Sequence, residues 1–477
     1  MARDLPIIIQ GGMGAAVSDW RLANAVSRTG QLGVISGTAL DAILARRLQT
    51  GDPGGHMRRA LAAFPFPGVA SRIIDRYFVE GGVPTGERYA TKPMVSDKTS
   101  ERTEELIVAA NFVEVFLAKE GHDNPVGVNF LEKIQVPTLP SLYGVMLAGV
   151  DYVLMGAGIP RAIPGILDRL ADGFDVEMRI DVKGSTDKGD PFVRFSPTRI
   201  AKDLLGKLPR PEFLAIVSSH VLAKMLATKA SGEVNGFIVE LPVAGGHNAP
   251  PRAKGEFNEL GEPVYGEKDV PDLEAIAGLG KPFWLAGGYG EPKQVLDALE
   301  VGAAGVQVGT AFAYCNESGF TREVKDEVIL ESREGAVKVY TDAIASPTGF
   351  PFKVVQLEDS LSNTAVYEQR TRICDLGYLR HAYERDDGSI GWRCPAEPVD
   401  DYVRKGGAIE ETVGRKCLCK SLVANVGMPQ LKRDGTLEPM LITSGDDAEH
   451  VARFAPTGST EYSAADVVDY LLSEVQA

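Results

Sequence analysis

The chain lacks three things: long apolar runs, a surplus of positive charge, and cysteine at the density of a disulfide-stapled protein. Its 477 residues hold no window of the roughly 18–20 apolar residues that a membrane helix needs. The best stretch, Tyr143 to Ile159, is broken by Gly and Asp151, so no membrane span is expected. Lys and Arg number 50 against 65 Asp and Glu, a net charge of −15. That excludes nucleic acid or an anionic bilayer surface as the main partner. Five cysteines are too few, and odd in number, for a secreted disulfide framework. The first residues show no charged segment, apolar segment and cleavage site in order, so a cytoplasmic location is the expectation.

What is present is the composition of an ordinary globular protein: 44% hydrophobic, 24% charged, and 52 glycines. The length admits one large scaffold with additions, or two to three ordinary domains. Short apolar runs bounded by Gly recur at Pro6 to Gln10, Gly33 to Ser36, Val126 to Phe130 and Tyr152 to Met155. Four more follow at Phe213 to Val217, Gly236 to Glu240, Phe283 to Ala286 and Gly305 to Val308. Continuous apolar strands suit a parallel sheet covered on both faces. Between them lie helical stretches such as Asp19 to Thr29 and Glu291 to Val301, opened by capping residues or Pro and closed by Gly. Eight such repeats predict an α/β (β/α)8 barrel over residues 1–355, with an open doubly wound sheet as the competitor.

Three stretches exceed a βα unit. Residues 41–123 read as an inserted helical cap. Residues 174–197 read as a hairpin turning at Asp187-Lys188-Gly189-Asp190, and 248–272 as a long loop of the kind that often carries function. Beyond about Val355 the rhythm stops, and 356–477 form a cysteine-bearing C-terminal extension.

The glycines gather where the predicted strands end: Gly11-Gly12-Met13-Gly14, Gly37, Gly156, Gly245-Gly246-His247, Gly287-Gly288 and Gly309-Thr310. In a barrel all of these line one rim, the rim on which active sites are built, and phosphate commonly binds after the seventh and eighth strands. Backbone without side chains lets N–H groups close on phosphate oxygens, and Thr310 adds a hydroxyl.

Ile7-Ile8-Ile9-Gln10-Gly11-Gly12-Met13-Gly14, Gly127-Val128-Asn129-Phe130, Ala244-Gly245-Gly246-His247, Leu285-Ala286-Gly287-Gly288 and Gly305-Val306-Gln307-Val308-Gly309-Thr310-Ala311-Phe312 together resemble the ordered motifs of the nitronate monooxygenase family. That family, formerly known as 2-nitropropane dioxygenases, has flavin-dependent enoyl-thioester reductases as relatives. The resemblance runs from residue 6 to about 350 and implies a TIM barrel that holds FMN non-covalently. It implies that the backbone of Gly11, Gly12 and Met13 lies against the flavin ring and that Asn129 hydrogen-bonds it. Gly245 and Gly246 would belong to the same cofactor site, with Gly287, Gly288, Gly309 and Thr310 on its phosphate. It also implies that His247 is the general base or polar contact near the flavin, which suits a neutral imidazole facing a carbon made acidic by a nitro group.

The chain departs from the family where Asn248-Ala249-Pro250-Pro251-Arg252 replaces the usual glycine after the histidine. Arg252 is either an anion contact or a surface residue, and Glu240 either a substrate contact or a solvated strand end. His220, after Ser218 and Ser219, reads better as a helix start than as a site residue. Cys374, Cys394, Cys417 and Cys419 have the spacing C-x19-C-x22-C-x-C. A structural zinc, ordinary buried thiols, and a cluster or disulfide all remain open for them, since no C-x2-C pair is present.

The resemblance leads first to an FMN-dependent oxidoreductase that oxidises an alkyl nitronate or nitroalkane with O2. Reduction of an enoyl thioester by NAD(P)H is the alternative, with an acyl carrier protein or a polyketide or polyunsaturated fatty acid synthase as partner. The larger enoyl reductases of such synthases share the barrel and have extra segments. A non-catalytic flavin-binding scaffold subunit is a third reading, and a homodimer is a further expectation.

Overall fold

The structure is a computed structural model that describes residues 5–184, 191–200, 206–253 and 255–475. Its centre is a closed parallel barrel. The strands before the predicted hairpin are β1 (Ile8–Gln10), β2 (Leu32–Ser36), β3 (Val126–Leu131) and β4 (Tyr152–Gly156). Three short strands intervene: β5 (Val176–Arg179), β6 (Val182–Lys183) and β7 (Phe192–Phe195). The barrel resumes with β8 (Glu212–Val217), β9 (Gly236–Glu240), β10 (Phe283–Ala286) and β11 (Gly305–Val308). Its order is β1-β11-β10-β9-β8-β4-β3-β2, and the β1 to β11 pairing, Ile8 opposite Val306, closes it. The open doubly wound alternative is thereby excluded.

Closure follows from the residue pattern. Inward side chains Ile9, Leu32, Val34, Tyr152, Leu154, Leu214, Ile238 and Trp284 pack into one interior core, and the outward ones join the larger core beneath the helices. With water on neither face, the strands need apolar residues at nearly every position. Gly33 and Gly305 sit where a Cβ would fall 2.0 Å from Ala23 O and 1.9 Å from Ile7 O, so strand and neighbouring chain meet at backbone distance there.

The 174–197 stretch is the expected antiparallel pair, β5 with β7, while its turn at 187–190 lies outside the described residues. The 41–123 stretch is helical as expected, and none of its residues lines the cavity at the barrel's rim. Helices Leu40–Gln49, His56–Ala63 and Pro67–Tyr77 pack around the outside, against Glu101–Ala118, the barrel's own crossover helix. They are held there by apolar faces and by Arg47, whose guanidinium lies 2.8 Å from buried Asp19 and also meets Glu114.

The C-terminal extension does the covering. A hairpin of β12 (Val339–Asp342) and β13 (Phe352–Val355) leads into it, and a second, β14 (His381–Glu384) with β15 (Ile390–Arg393), docks beside β6. The chain then crosses the rim through the helix Leu418–Ala424 and a 3-10 helix at Asp446–Phe454. It ends on the helix Ala464–Leu472, which packs against both Trp20–Arg28 and Pro292–Glu300, the first and seventh barrel helices. That is the eighth helix position, so the extension returns to complete the barrel's outer ring.

Candidate active site

Above the interior core, the next inward layer is Ser36, Asn129, Gly156, Ile216, Glu240, Ala286 and Gln307, the floor of a cavity of about 230 Å3. It opens at the carboxyl ends of the strands, where barrel enzymes place their chemistry. One side is glycine: Gly11, Gly12, Gly14, Gly245, Gly246, Gly287, Gly288 and Gly309, with Met13 and Thr310 among them. Every position expected to hold the cofactor therefore meets in one place.

Several of these glycines are required by the geometry. A Cβ on Gly12 would stand 2.6 Å from that of Asn129, and one on Gly287 would stand 2.9 Å from Leu241 O. Gly287 and Gly288 are both left-handed, at φ 87° and 80°, a conformation glycine adopts without penalty. Two alanines on the cavity wall, Ala39 (φ 60°) and Ala157 (φ 53°), are held in the same region, which is strained for a residue with a Cβ. Below them Ser18 ties the first loop together: its Oγ donates to Gly11 O at 3.0 Å and accepts from Met13 N–H at 3.0 Å.

On the floor, the amide of Asn129 donates to Gly12 O at 3.5 Å, but its Oδ1 has no protein partner, and neither does Gln307 Oε1. Buried amide oxygens usually find a partner in protein, water or a ligand, and on this floor the protein supplies none to these two. Glu240 closes β9 with its carboxyl toward the cavity, and burial pushes it up to about 7. No Lys or Arg lines the cavity among the described residues, so nothing offsets that desolvation.

His247 is in the cavity wall but otherwise engaged. Its Nε2 shares a 2.7 Å hydrogen bond with Ser346 Oγ, and its ring meets Phe352 edge-on at 4.8 Å. Burial pushes the imidazole down to about 4, so it is neutral at physiological pH. Arg252 is exposed, its backbone N–H bonded to Asp269, and it does not line the cavity. His220 opens the helix His220–Lys229 behind the Ser219 cap, the structural reading.

The extension supplies the rest of the wall: Tyr378, Leu379, Leu418, Cys419, Leu422, Thr443, Ser444, Gly445 and Asp447. Segment 443–446 is stitched across the rim. Thr443 Oγ1 accepts from Gly246 N–H, Gly445 N–H donates to Thr310 Oγ1 (both 3.0 Å), and Asp446 N–H donates to Val243 O at 3.3 Å. Lys353, on β13, bonds Asp446 at 2.7 Å from below. Behind Tyr378, whose hydroxyl donates to buried Asp41, Lys92 completes the arrangement 2.8 Å from the same carboxylate. Sequence reading missed these wall residues because no motif marks them; the turn-rich run Thr443-Ser444-Gly445-Asp446-Asp447 was the available signal.

The four clustered cysteines also converge, around a cavity of about 10 Å3 that Cys419 separates from the large one. Of the readings left open for them, buried free thiols fit the arrangement and a zinc site does not. Among the described residues no group of three or more His, Cys, Asp or Glu side chains is placed to hold a metal ion. Cys417 instead neighbours the Arg370 guanidinium, while Cys394 and Cys419 lie against backbone. Burial raises all four thiols, which keeps them protonated, and they are free.

Comparison with known proteins places part of this chain. Residues 166–384 match the nitronate monooxygenase family. The matched segment holds Glu240, His247, Gly287, Gly288, Gly309 and Thr310, but neither the first glycine loop nor Asn129. A curated Mycobacterium tuberculosis protein, (3aS,4S,5R,7aS)-5-hydroxy-7a-methyl-1-oxo-octahydro-1H-indene-4-carboxyl-CoA dehydrogenase, is 26% identical over 223 residues. That match takes in 43% of this chain and 57% of the relative, so it spans little more than half of it. Among solved structures, nitroalkane oxidase from Streptomyces ansochromogenes superposes with a TM-score of 0.48 at 15% identity, over 99% of this chain and 96% of that one. FabK from Thermotoga maritima gives 0.45 at 16%, over 99% and 93%. The enoyl reductase domain of MlnA from Bacillus amyloliquefaciens gives 0.45 at 11%, over 98% and 93%.

Proposed function

We propose that the protein is an FMN-dependent oxidoreductase of the nitronate monooxygenase type. The observation that carries this reading is the cavity floor. Two buried amide oxygens without a protein partner, Asn129 Oδ1 and Gln307 Oε1, belong to floor residues beside a glycine cradle in which a Cβ at Gly12 or Gly287 would collide. These residues fit a flat, polar-edged ring with a phosphate tail: Gly11 to Met13 against the ring, Asn129 and Gln307 at its polar edge, and Gly287, Gly288, Gly309 and Thr310 at the phosphate. FMN bound there would supply two-electron chemistry that no protein side chain offers. The chain's own residues would bind and orient it, the extension would wall it from water, and Glu240 would stand on the cavity floor beside it.

The family match makes an alkyl nitronate or nitroalkane, with O2 as oxidant, the first substrate reading. An enoyl thioester reduced by NAD(P)H is the second, and two observations favour it. Leu379, Leu418 and Leu422 of the extension join Leu131, Ile134 and Phe352 in one apolar cluster on the cavity wall, a surface suited to an acyl chain. The curated relative is named for a CoA thioester. Anaerobic mixing separates them: bleaching of bound flavin by a nitronate supports the first, bleaching by NADPH the second. Bleaching by neither would contradict a catalytic function.

A further inference from the structure

We propose that Glu240, rather than His247, is the catalytic acid-base group that moves the substrate proton. The inference rests on the oxidoreductase reading above and assigns a role within its site.

Glu240 is placed by the barrel itself. It continues the inward row of β9 one step above Ile238, paired across the ladder with Ala286, so a rigid strand end aims its carboxyl at the cavity. No hydrogen-bond donor reaches that carboxyl among the described residues, which leaves both oxygens for a ligand. His247 stands on the following loop with its Nε2 committed to Ser346 and its ring packed on Phe352.

Among the described residues, the ionisable groups that share the cavity with Glu240 or act on it are few. From its own loop come His247 and Tyr265, and from the β10 loop Tyr289. The extension contributes Tyr378, Cys419 and Asp447, the last held by Arg453 at 2.8 Å. Burial raises the three tyrosines and Cys419, which keeps them neutral. A carboxyl near 7 is half-ionised at working pH and can both take and give a proton, whereas an imidazole near 4 is a weak base.

With a neutral nitroalkane, the Glu240 carboxylate takes the proton from the carbon beside the nitro group. The C–H bond breaks, an O–H bond forms, and the electron pair stays on the substrate as the nitronate. With an enoyl thioester the direction reverses. NAD(P)H supplies the two electrons, and the Glu240 carboxylic acid gives its proton to the carbon next to the thioester.

The test uses the FMN-loaded full chain, with E240Q, E240D and H247Q. E240Q is expected to keep its flavin spectrum and to lose about 10^2–10^4-fold in kcat/KM on a neutral nitroalkane. On the preformed nitronate, which has no proton to remove, it should keep its rate within a few fold, and E240D should recover part of the loss. The nitroalkane rate should rise with pH through about 7 in wild type and in H247Q, and an enoyl-thioester rate should fall through the same value. A second readout is independent of turnover. Because the native carboxyl holds its proton from its ordinary 4.5 up to about 7 while the unfolded chain does not, wild type should lose stability relative to E240Q across that window. Active wild type with E240Q undiminished, or with the pH break lost in H247Q instead, overturns the role of Glu240 alone. A flavin that neither a nitronate nor NADPH reduces overturns the functional reading itself, and the role with it.

Discussion

The barrel and the C-terminal extension are built on different physical terms. The barrel strands are apolar on both faces and their neighbours are close in sequence order, so pattern alone specifies them. The extension has two short hairpins and brief helices, and it buries charge: Arg370 and Glu438 are 1% and 0% exposed and bonded at 2.7 Å, and Lys420 lies 3.3 Å from Asp375. Yet Val467, Val468, Leu471 and Leu472 from its last helix sit in the same core as the barrel. A region with an irregular sequence thus completes the ring and walls the site, and position in the chain is no guide to which part is accessory.

The largest way to break this comparison is to remove the last helix. Tyr462, Val467, Val468, Leu471 and Leu472 are core residues, each stabilising by about 1.5–3 kcal/mol, against a total of about 5–15 kcal/mol for a typical domain. A chain ending at 455 is therefore expected to lose its cooperative thermal transition; a folded, FMN-binding truncation would make the extension an accessory after all.

Next comes the buried pair. Arg370→Met should cost about 3–5 kcal/mol by stranding Glu438, and adding Glu438→Met should recover most of it, because a buried ion pair contributes little net stability over an apolar pair. Chemical denaturation of the single and double variants measures both. The pH limb of His247 is somewhat smaller. Its folded value is lowered from 6.5 to about 4, so the unfolded chain binds the extra proton across that interval and stability rises with pH through it. Wild type should lose about 2–3 kcal/mol on acidification from 6.5 to 4 that His247→Gln does not lose. The smallest effect belongs to the barrel's outer surface. Lys293 and Asp297, 76% and 50% exposed, form a helix-surface pair, and Lys293→Ala should leave the melting midpoint unchanged within error.

How far the sequence foretold this structure follows from the same contrast. All eight barrel strands and their glycine rim were legible, because an apolar run ending in Gly has few other uses. The helices of 41–123 were legible as helices, but not where they pack, since an apolar face does not name its partner. For the four cysteines, zinc, buried thiols, and a cluster or disulfide all fitted the sequence; they are free, mostly buried thiols gathered round one small cavity, which spacing alone does not decide. Tyr378, Leu422 and Gly445 were invisible as site residues because only the return of the chain across the rim brings them there. Glu240 read equally as a substrate contact or a solvated strand end, and that its carboxyl has no hydrogen-bond partner among the described residues emerged only in three dimensions.

The central claim is that barrel rim and extension together form one FMN site, and flavin titration of the full chain tests it most directly. Fluorescence quenching should saturate at one FMN per chain. Gly445→Val, whose Cβ would come within 2.9 Å of Thr310 Oγ1, should weaken binding at least tenfold while the protein still melts cooperatively. A wild-type chain that is folded and quenches no flavin would contradict the account, as would a Gly445→Val variant that binds FMN as tightly as wild type.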